Sequence, residues 1–106
     1  MEIGNIHEWY LPEGINEFND HEHRVIDDHF ENMPEPLKGS VVLVFKYKTE
    51  SPIACGIFCP ECGTLSFKVT PGIETDKYHS TVTLSPSIVL HCCGYHGFLK
   101  QNKYTK

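Results

Sequence analysis

The feature that most constrains this chain is a pair of short cysteine-containing segments that lie far apart in the sequence. CPECG begins at Cys59, and CGYHG begins at Cys93. Each has the form ligand, two residues, ligand, glycine, and each lies between apolar stretches. A turn with two intervening residues points both ligand side chains at one centre. We expect Gly63 and Gly97 to adopt positive φ, so that backbone amides face the metal-bound atoms. The pattern predicts two knuckle hairpins around one metal ion.

The predicted ligands are Cys59, Cys62, Cys93 and His96. Three thiolates and one imidazole suit tetrahedral Zn²⁺, and four protein ligands predict a structural site, since catalytic zinc keeps a position for water. The third ligand remains open, because Cys92 or His91 could replace Cys93. We favour Cys93, since Cys92, next to it along a strand, is expected to point to the opposite side.

Length and cysteine count favour a single domain whose cysteines are in the thiol form. The chain has 106 residues and five cysteines, an odd number that argues against a pure disulfide framework. The acidic start MEIGNIHEWYLPEG has neither the basic nor the apolar part of a signal peptide. We therefore expect a cytoplasmic protein, in which Cys55 packs as a small buried residue.

The residue pattern divides the chain into an arm (residues 1–38) and a body (residues 39–106). The first 19 residues read as irregular, and DHEHRVIDDHFEN at 20–32 predicts a short helix with Asp20 as N-cap. From Gly39 onward, β-branched and aromatic runs such as SVVLVFKYK predict strands. The predicted fold is mainly β: a small zinc-ribbon-like domain with an acidic arm packing on it.

Charge is distributed unevenly between these two parts. Ten of the fourteen acidic residues lie in residues 1–38, whereas residues 39–106 carry seven lysines and four acidic residues. The arm also contains Trp9, Tyr10 and Phe18, and aromatic residues dominate protein–protein interfaces. The arm is therefore the predicted contact surface for a protein partner.

Three segments together resemble a known protein family. They are CPECG, TLSPSI at 83–88 and CGYHGFL at 93–99. In this order they resemble a small-protein family of tailed-phage and prophage genomes, a domain-of-unknown-function family sometimes labelled ammonia monooxygenase. The resemblance covers about residues 55–100. It departs from the family at Val82, where proline is common, and at Asn102, where glycine is common.

The resemblance carries implications for the metal and for the setting. Its metal positions fall on Cys59, Cys62, Cys93 and His96. It implies a phage protein in the host cytoplasm that binds and inhibits or redirects a host protein, such as a defence or transcription component. The oxygenase label finds no support, because the sequence offers no copper or di-iron constellation.

Three function classes follow from these features. The leading one is a non-enzymatic, zinc-stapled interaction module. A zinc-ribbon nucleic-acid binder is the alternative, disfavoured because arginine is scarce and the acidic arm opposes phosphate. A metalloenzyme is third, since it would need an open metal position. The oligomeric state is left open.

Two further polar groups are candidates for chemistry. Ser85 and Ser87 could contact the metal region, but hydroxyls beside a strand proline more often bond local backbone groups. His21, His23 and His29 lie in the predicted helix, where a solvated face is favoured over a second metal site. Neither group is predicted to carry the function.

Overall fold

Two four-stranded sheets pack face to face, and one helix covers the outer side of the first sheet. This computed structural model describes residues 1–33 and 37–105. The predicted mainly β class with one short helix is confirmed. In chain order the elements are β1 (Ile6–Tyr10), α1 (Asp20–Glu31), β2 (Val41–Phe45), β3 (Pro52–Phe58), β4 (Leu65–Val69), β5 (Ile73–Thr75), β6 (Val82–Leu90), β7 (Tyr95–Lys100) and β8 (Lys103–Thr105).

Strand β2 is buried on both faces because it lies between two hydrophobic clusters. Val41, Leu43 and Phe45 point to the second sheet and pack with residues of β6, β7 and β8. Val42 and Val44 point to the other side and pack under α1. The uninterrupted apolar run of β2 therefore matches a strand that is buried on both faces.

The first residues of the arm form a strand, although the sequence reads as irregular there. Strand β1 pairs in parallel with β2, from Ile6 opposite Val41 to Tyr10 opposite Phe45. The expectation of irregular structure was wrong for this segment. Strand β1 was not predicted because its parallel partner lies far along the chain, and no local turn signal in the sequence marks such a pair.

The predicted helix is present, but it begins differently. Its N-cap is Asn19, whose side-chain oxygen accepts a hydrogen bond from the Glu22 backbone N–H at 2.9 Å. The prediction of Asp20 as the cap was therefore wrong by one residue. Ile26 and Phe30 are buried against the first sheet, which fixes the orientation of α1. No helix in the described part of the chain is long and apolar enough to cross a membrane.

The second sheet has the strand order β5-β6-β7-β8, and its inner face closes the core. Along β7, Tyr95, Gly97 and Leu99 are buried and the residues between them are exposed. The turn from β7 to β8 has two positive-φ residues, Gln101 and Asn102. Positive φ at both central residues matches a two-residue hairpin turn whose twist suits the flanking strands.

Candidate metal centre

The first cysteine pair lies in the turn that joins β3 to β4. The Cys59 backbone N–H donates to the Thr64 carbonyl at 3.0 Å, and the Gly63 N–H donates to the Cys59 carbonyl at 2.9 Å. Gly63 has φ of 81°, a left-handed conformation that glycine adopts without strain, as predicted. Cys59 is buried and Cys62 is exposed. The turn thus presents one thiol from the protein interior and one from its surface.

The second cysteine pair lies in a shorter turn between β6 and β7. Leu90 pairs with Tyr95, so the turn consists of residues 91–94. Its positive-φ glycine is Gly94, with φ of 75°. Gly97 lies inside β7, where a Cβ would collide with the Thr105 carbonyl oxygen. The expectation of positive φ at Gly97 was therefore wrong, and this glycine instead allows close approach of β8.

Four thiols from the two turns converge on one point. The Sγ atoms of Cys59, Cys62, Cys92 and Cys93 all lie within 4.8 Å of one another. Cys59 Sγ is 3.4 Å from Cys93 Sγ, and Cys62 Sγ is 3.1 Å from Cys92 Sγ. Four sulfurs around a tetrahedral Zn²⁺, at about 2.3 Å each, would be separated by about 3.8 Å. The group is therefore positioned to hold one metal ion.

The structure brings together three of the four sequence-predicted ligands and leaves the fourth outside. His96 lies on β7 opposite Val89, on the exposed side of the strand, and is not part of the thiol group. His91 is also outside the group. Cys92 lies inside it, because residues 91–94 form a turn and the alternation of side chains along a strand does not apply.

A sequence signal for Cys92 exists in hindsight. The glycine that directly follows the adjacent cysteines, in HCCG, marks the turn at Gly94. The repeated ligand–x–x–ligand–glycine form pointed to Gly97 instead, which placed the second turn too late in the chain. A tight turn around Gly94 presents both neighbouring thiols at the same end of the sheet.

The electrostatics of the group favour occupation by a cation. Hydrogen bonding with the Thr64 side chain and backbone, and with Cys92, lowers the pKa of the Cys62 thiol to about 6. The neighbouring Cys59 raises the pKa of Cys93 to about 12, and Cys62 raises the pKa of Cys92. Adjacent thiolates oppose one another's ionisation, and a bound metal ion removes this penalty by coordinating the deprotonated sulfurs.

Soft sulfur ligands restrict the ions that fit. Thiolates select zinc, copper(I) or iron–sulfur clusters over magnesium and calcium. An iron–sulfur cluster places several atoms between its cysteines, whereas these thiols are close enough to share a single ion.

The other candidate residues make contacts elsewhere in the fold. The Ser85 backbone N–H donates to the Gly72 carbonyl at 2.8 Å. His23 is 3.3 Å from Asp27 in a half-exposed pair on α1, and His29 packs edge-on against aromatic rings. Among the described residues, only the four cysteines form a group of potential metal ligands.

The chain was compared with family models, with curated proteins and with solved structures, and it matches none of them. The resemblance to the phage family therefore stays a prediction.

Proposed function

We propose that this chain is a non-enzymatic interaction module whose fold is stapled by Zn²⁺ bound to Cys59, Cys62, Cys92 and Cys93. The observation that carries the proposal is the convergence of four Sγ atoms from two turns. One turn belongs to the first sheet and the other to the second. A metal ion at this point would join the two sheets covalently through its ligands.

A structural role follows from the number of protein ligands. Four thiolates fill the tetrahedral coordination of Zn²⁺, so no position is left for water or substrate. A domain of this size buries only a modest hydrophobic core, which gives limited stability. A metal crosslink between the two sheets would add to the free energy of unfolding. This coordination supports a scaffold and gives no support to a metalloenzyme.

The interaction role rests on the negative charge of the arm, which includes α1, and on the resemblance to the phage family. Much of the arm belongs to the fold, because Leu11 is buried and Trp9 and Phe18 are half-buried against the first sheet. Tyr10 remains exposed, and the arm keeps its excess of carboxylates. We propose a phage-encoded protein whose acidic side contacts a basic host protein in the cytoplasm, a defence or transcription component.

Affinity purification tests this function. The zinc-loaded protein, immobilised through its C-terminus, is incubated with lysate of the bacterial host, and a captured protein is then purified and titrated against it. We expect one-to-one saturable binding that weakens as salt rises, because charge complementarity supports the association. Absence of saturable binding to any purified candidate would contradict the interaction role.

One observation favours nucleic acid as a second candidate partner. The outer face of the second sheet presents Phe98, His96 and Lys100, and no acidic residue occurs between Tyr78 and Thr105. Exposed aromatic rings beside lysines can stack bases and contact phosphates. Salt-dependent binding of single-stranded DNA that Lys100→Glu abolishes would favour this candidate.

A further inference from the structure

A groove of about 640 Å³ separates α1 from the first cysteine turn. Asp27, Asp28 and Glu31 form the helix side of the groove. Gly63 and Thr64 belong to the opposite wall, which is the turn that carries Cys59 and Cys62. The groove therefore lies directly beside the proposed metal site and is bounded by both the arm and the body of the chain.

The floor of this groove is apolar. Phe30 from α1 and Phe58 from β3 meet edge to face, with ring centroids 5.4 Å apart. Leu37 and Leu65 flank them and are only partly buried. Such a floor suits an aliphatic or aromatic side chain, which would gain free energy by leaving water.

The rim of the groove carries excess negative charge. Asp27, Asp28 and Glu31 line it together with Arg24, and the Lys38 side chain lies against Gly63 on the opposite wall, so three carboxylates face two cations. Within the described residues, Asp28 and Glu31 form no ion pair with a lysine or arginine, and Asp27 pairs with His23. Unpaired carboxylates above an apolar floor favour a ligand that combines positive charge with an apolar anchor.

We propose that this groove binds a short segment of a partner protein in which an apolar side chain is flanked by lysine or arginine. The apolar side chain would occupy the floor, and the basic side chains would meet the rim carboxylates. This inference rests on the proposed interaction function and assigns it a site. An acidic segment or a phosphate backbone would meet repulsion at the same rim.

The metal site supports the second wall of the groove. The Thr64 side-chain oxygen is 3.4 Å from Cys62 Sγ, so the thiol that would bind the ion also contacts a groove residue. Removal of zinc should loosen this wall and weaken binding of the basic segment. The groove thereby links the structural metal to recognition.

A matched pair of peptides tests the proposal. The zinc-loaded, ¹⁵N-labelled full chain is titrated with a capped peptide that has a Leu-Phe-Leu centre between two lysines on each side, and with the same peptide carrying glutamates. We expect saturable shifts of the Asp28, Glu31, Gly63 and Leu65 amides with the basic peptide only. Equal response to the acidic peptide, or shifts confined to the second sheet, would overturn the proposal.

Charge-neutralising variants provide the control. Asp28→Asn combined with Glu31→Gln should weaken binding of the basic peptide at least tenfold. Glu13→Gln combined with Glu17→Gln removes the same charge from exposed positions elsewhere in the arm and should change affinity less than twofold. If both double variants weaken binding equally, the peptide is attracted by the overall negative charge of the protein, and the proposal that it binds in the groove is refuted.

The same variants separate this inference from the proposed function. If a purified host partner binds the Asp28→Asn/Glu31→Gln protein with undiminished affinity, the groove is refuted while the interaction function stands. If no host partner binds the wild-type protein, the interaction function fails, whatever the peptides do.

Discussion

At the scale of single residues, the decisive position is the one that completes the thiol group. Cys92 lies among the four convergent sulfurs, whereas His96 projects from the exposed side of β7. The ligand–x–x–ligand spacing from Cys93 favoured His96 as the fourth ligand. The structure favours Cys92, because the turn ends at Gly94. The two ligand sets predict opposite outcomes for two single substitutions.

We expect Cys92→Ser to lose bound zinc and His96→Ala to retain about one ion per chain. Serine oxygen is a poor substitute for a thiolate at a tetrahedral zinc site, and His96 has no part in the group. Elemental analysis of the purified proteins measures this directly, with Cys55→Ala as the control outside the group. Zinc retained in Cys92→Ser and lost in His96→Ala would restore the sequence-predicted ligand set.

A second residue, His79, connects the two sheets through both of its ring nitrogens. Nδ1 is 2.6 Å from the Glu8 carboxylate, and Nε2 is 3.2 Å from the Glu50 carbonyl oxygen. The ring also stacks on Phe45, at 4.7 Å between centroids. Two acceptors call for two N–H donors, which only the protonated ring has, and the bond to Glu8 raises the pKa of His79.

The raised pKa of His79 makes its contribution to stability depend on pH. The contribution is complete below the ordinary pKa of 6.5 and is lost as pH rises through the folded-state pKa. We expect wild type to exceed His79→Gln by up to about 1 kcal/mol in free energy of unfolding near pH 5.5, because the pair is partly exposed. The difference should shrink toward about pH 8.5.

Urea unfolding of both proteins across this range measures the effect, and His21→Gln, at an exposed position of α1, serves as the control. A stability difference that grows with rising pH would contradict the doubly bonded imidazolium.

At the scale of elements, α1 depends on its N-cap. Asn19 accepts the Glu22 N–H, while Asp20 is already the first residue of the helix. We expect Asn19→Ala to lower the free energy of unfolding by about 1 kcal/mol, because the backbone N–H would lose its partner. Asp20→Ala should cost less, since it removes only a charge near the helix dipole. Thermal or urea unfolding measures the stability of both variants. A larger loss of stability in Asp20→Ala than in Asn19→Ala would indicate that Asp20 is the N-cap.

The elements that sequence reasoning found are those with local signals. Strand β2 showed itself as an apolar run, α1 as a periodic stripe, and the first cysteine turn as a glycine-closed loop. Strand β1 was missed because its partner β2 lies beyond the helix. Likewise, the role of Cys92 depends on where β6 ends, which local spacing does not reveal.

At the scale of the whole molecule, the two sheets are tied together near both ends of β2. Cys59 directly follows β3 at the end where Ile57 pairs with Val41. His79 stacks on Phe45, the last residue of β2. Between these ties lies the core that the sheets share. A metal ion bound to the thiols would join the two sheets at the end where three of the four thiols are exposed.

Removing the metal should therefore destabilise the whole domain. Each 1 kcal/mol that bound zinc contributes should raise the Tm by about 4–8 °C for a domain of this size, so its loss should lower the Tm by that amount or more. Calorimetry before and after dialysis against a strong chelator measures the shift, and readdition of zinc should reverse it. If the metal-free protein has the same Tm as the zinc-loaded protein, the structural role of zinc is refuted.

X-ray absorption at the zinc edge measures how many sulfur atoms surround the proposed Zn²⁺. We expect one shell of four sulfur neighbours at about 2.3 Å, from Cys59, Cys62, Cys92 and Cys93. A shell of three sulfurs with one nitrogen at about 2.0–2.1 Å would contradict it and return His96 to the site.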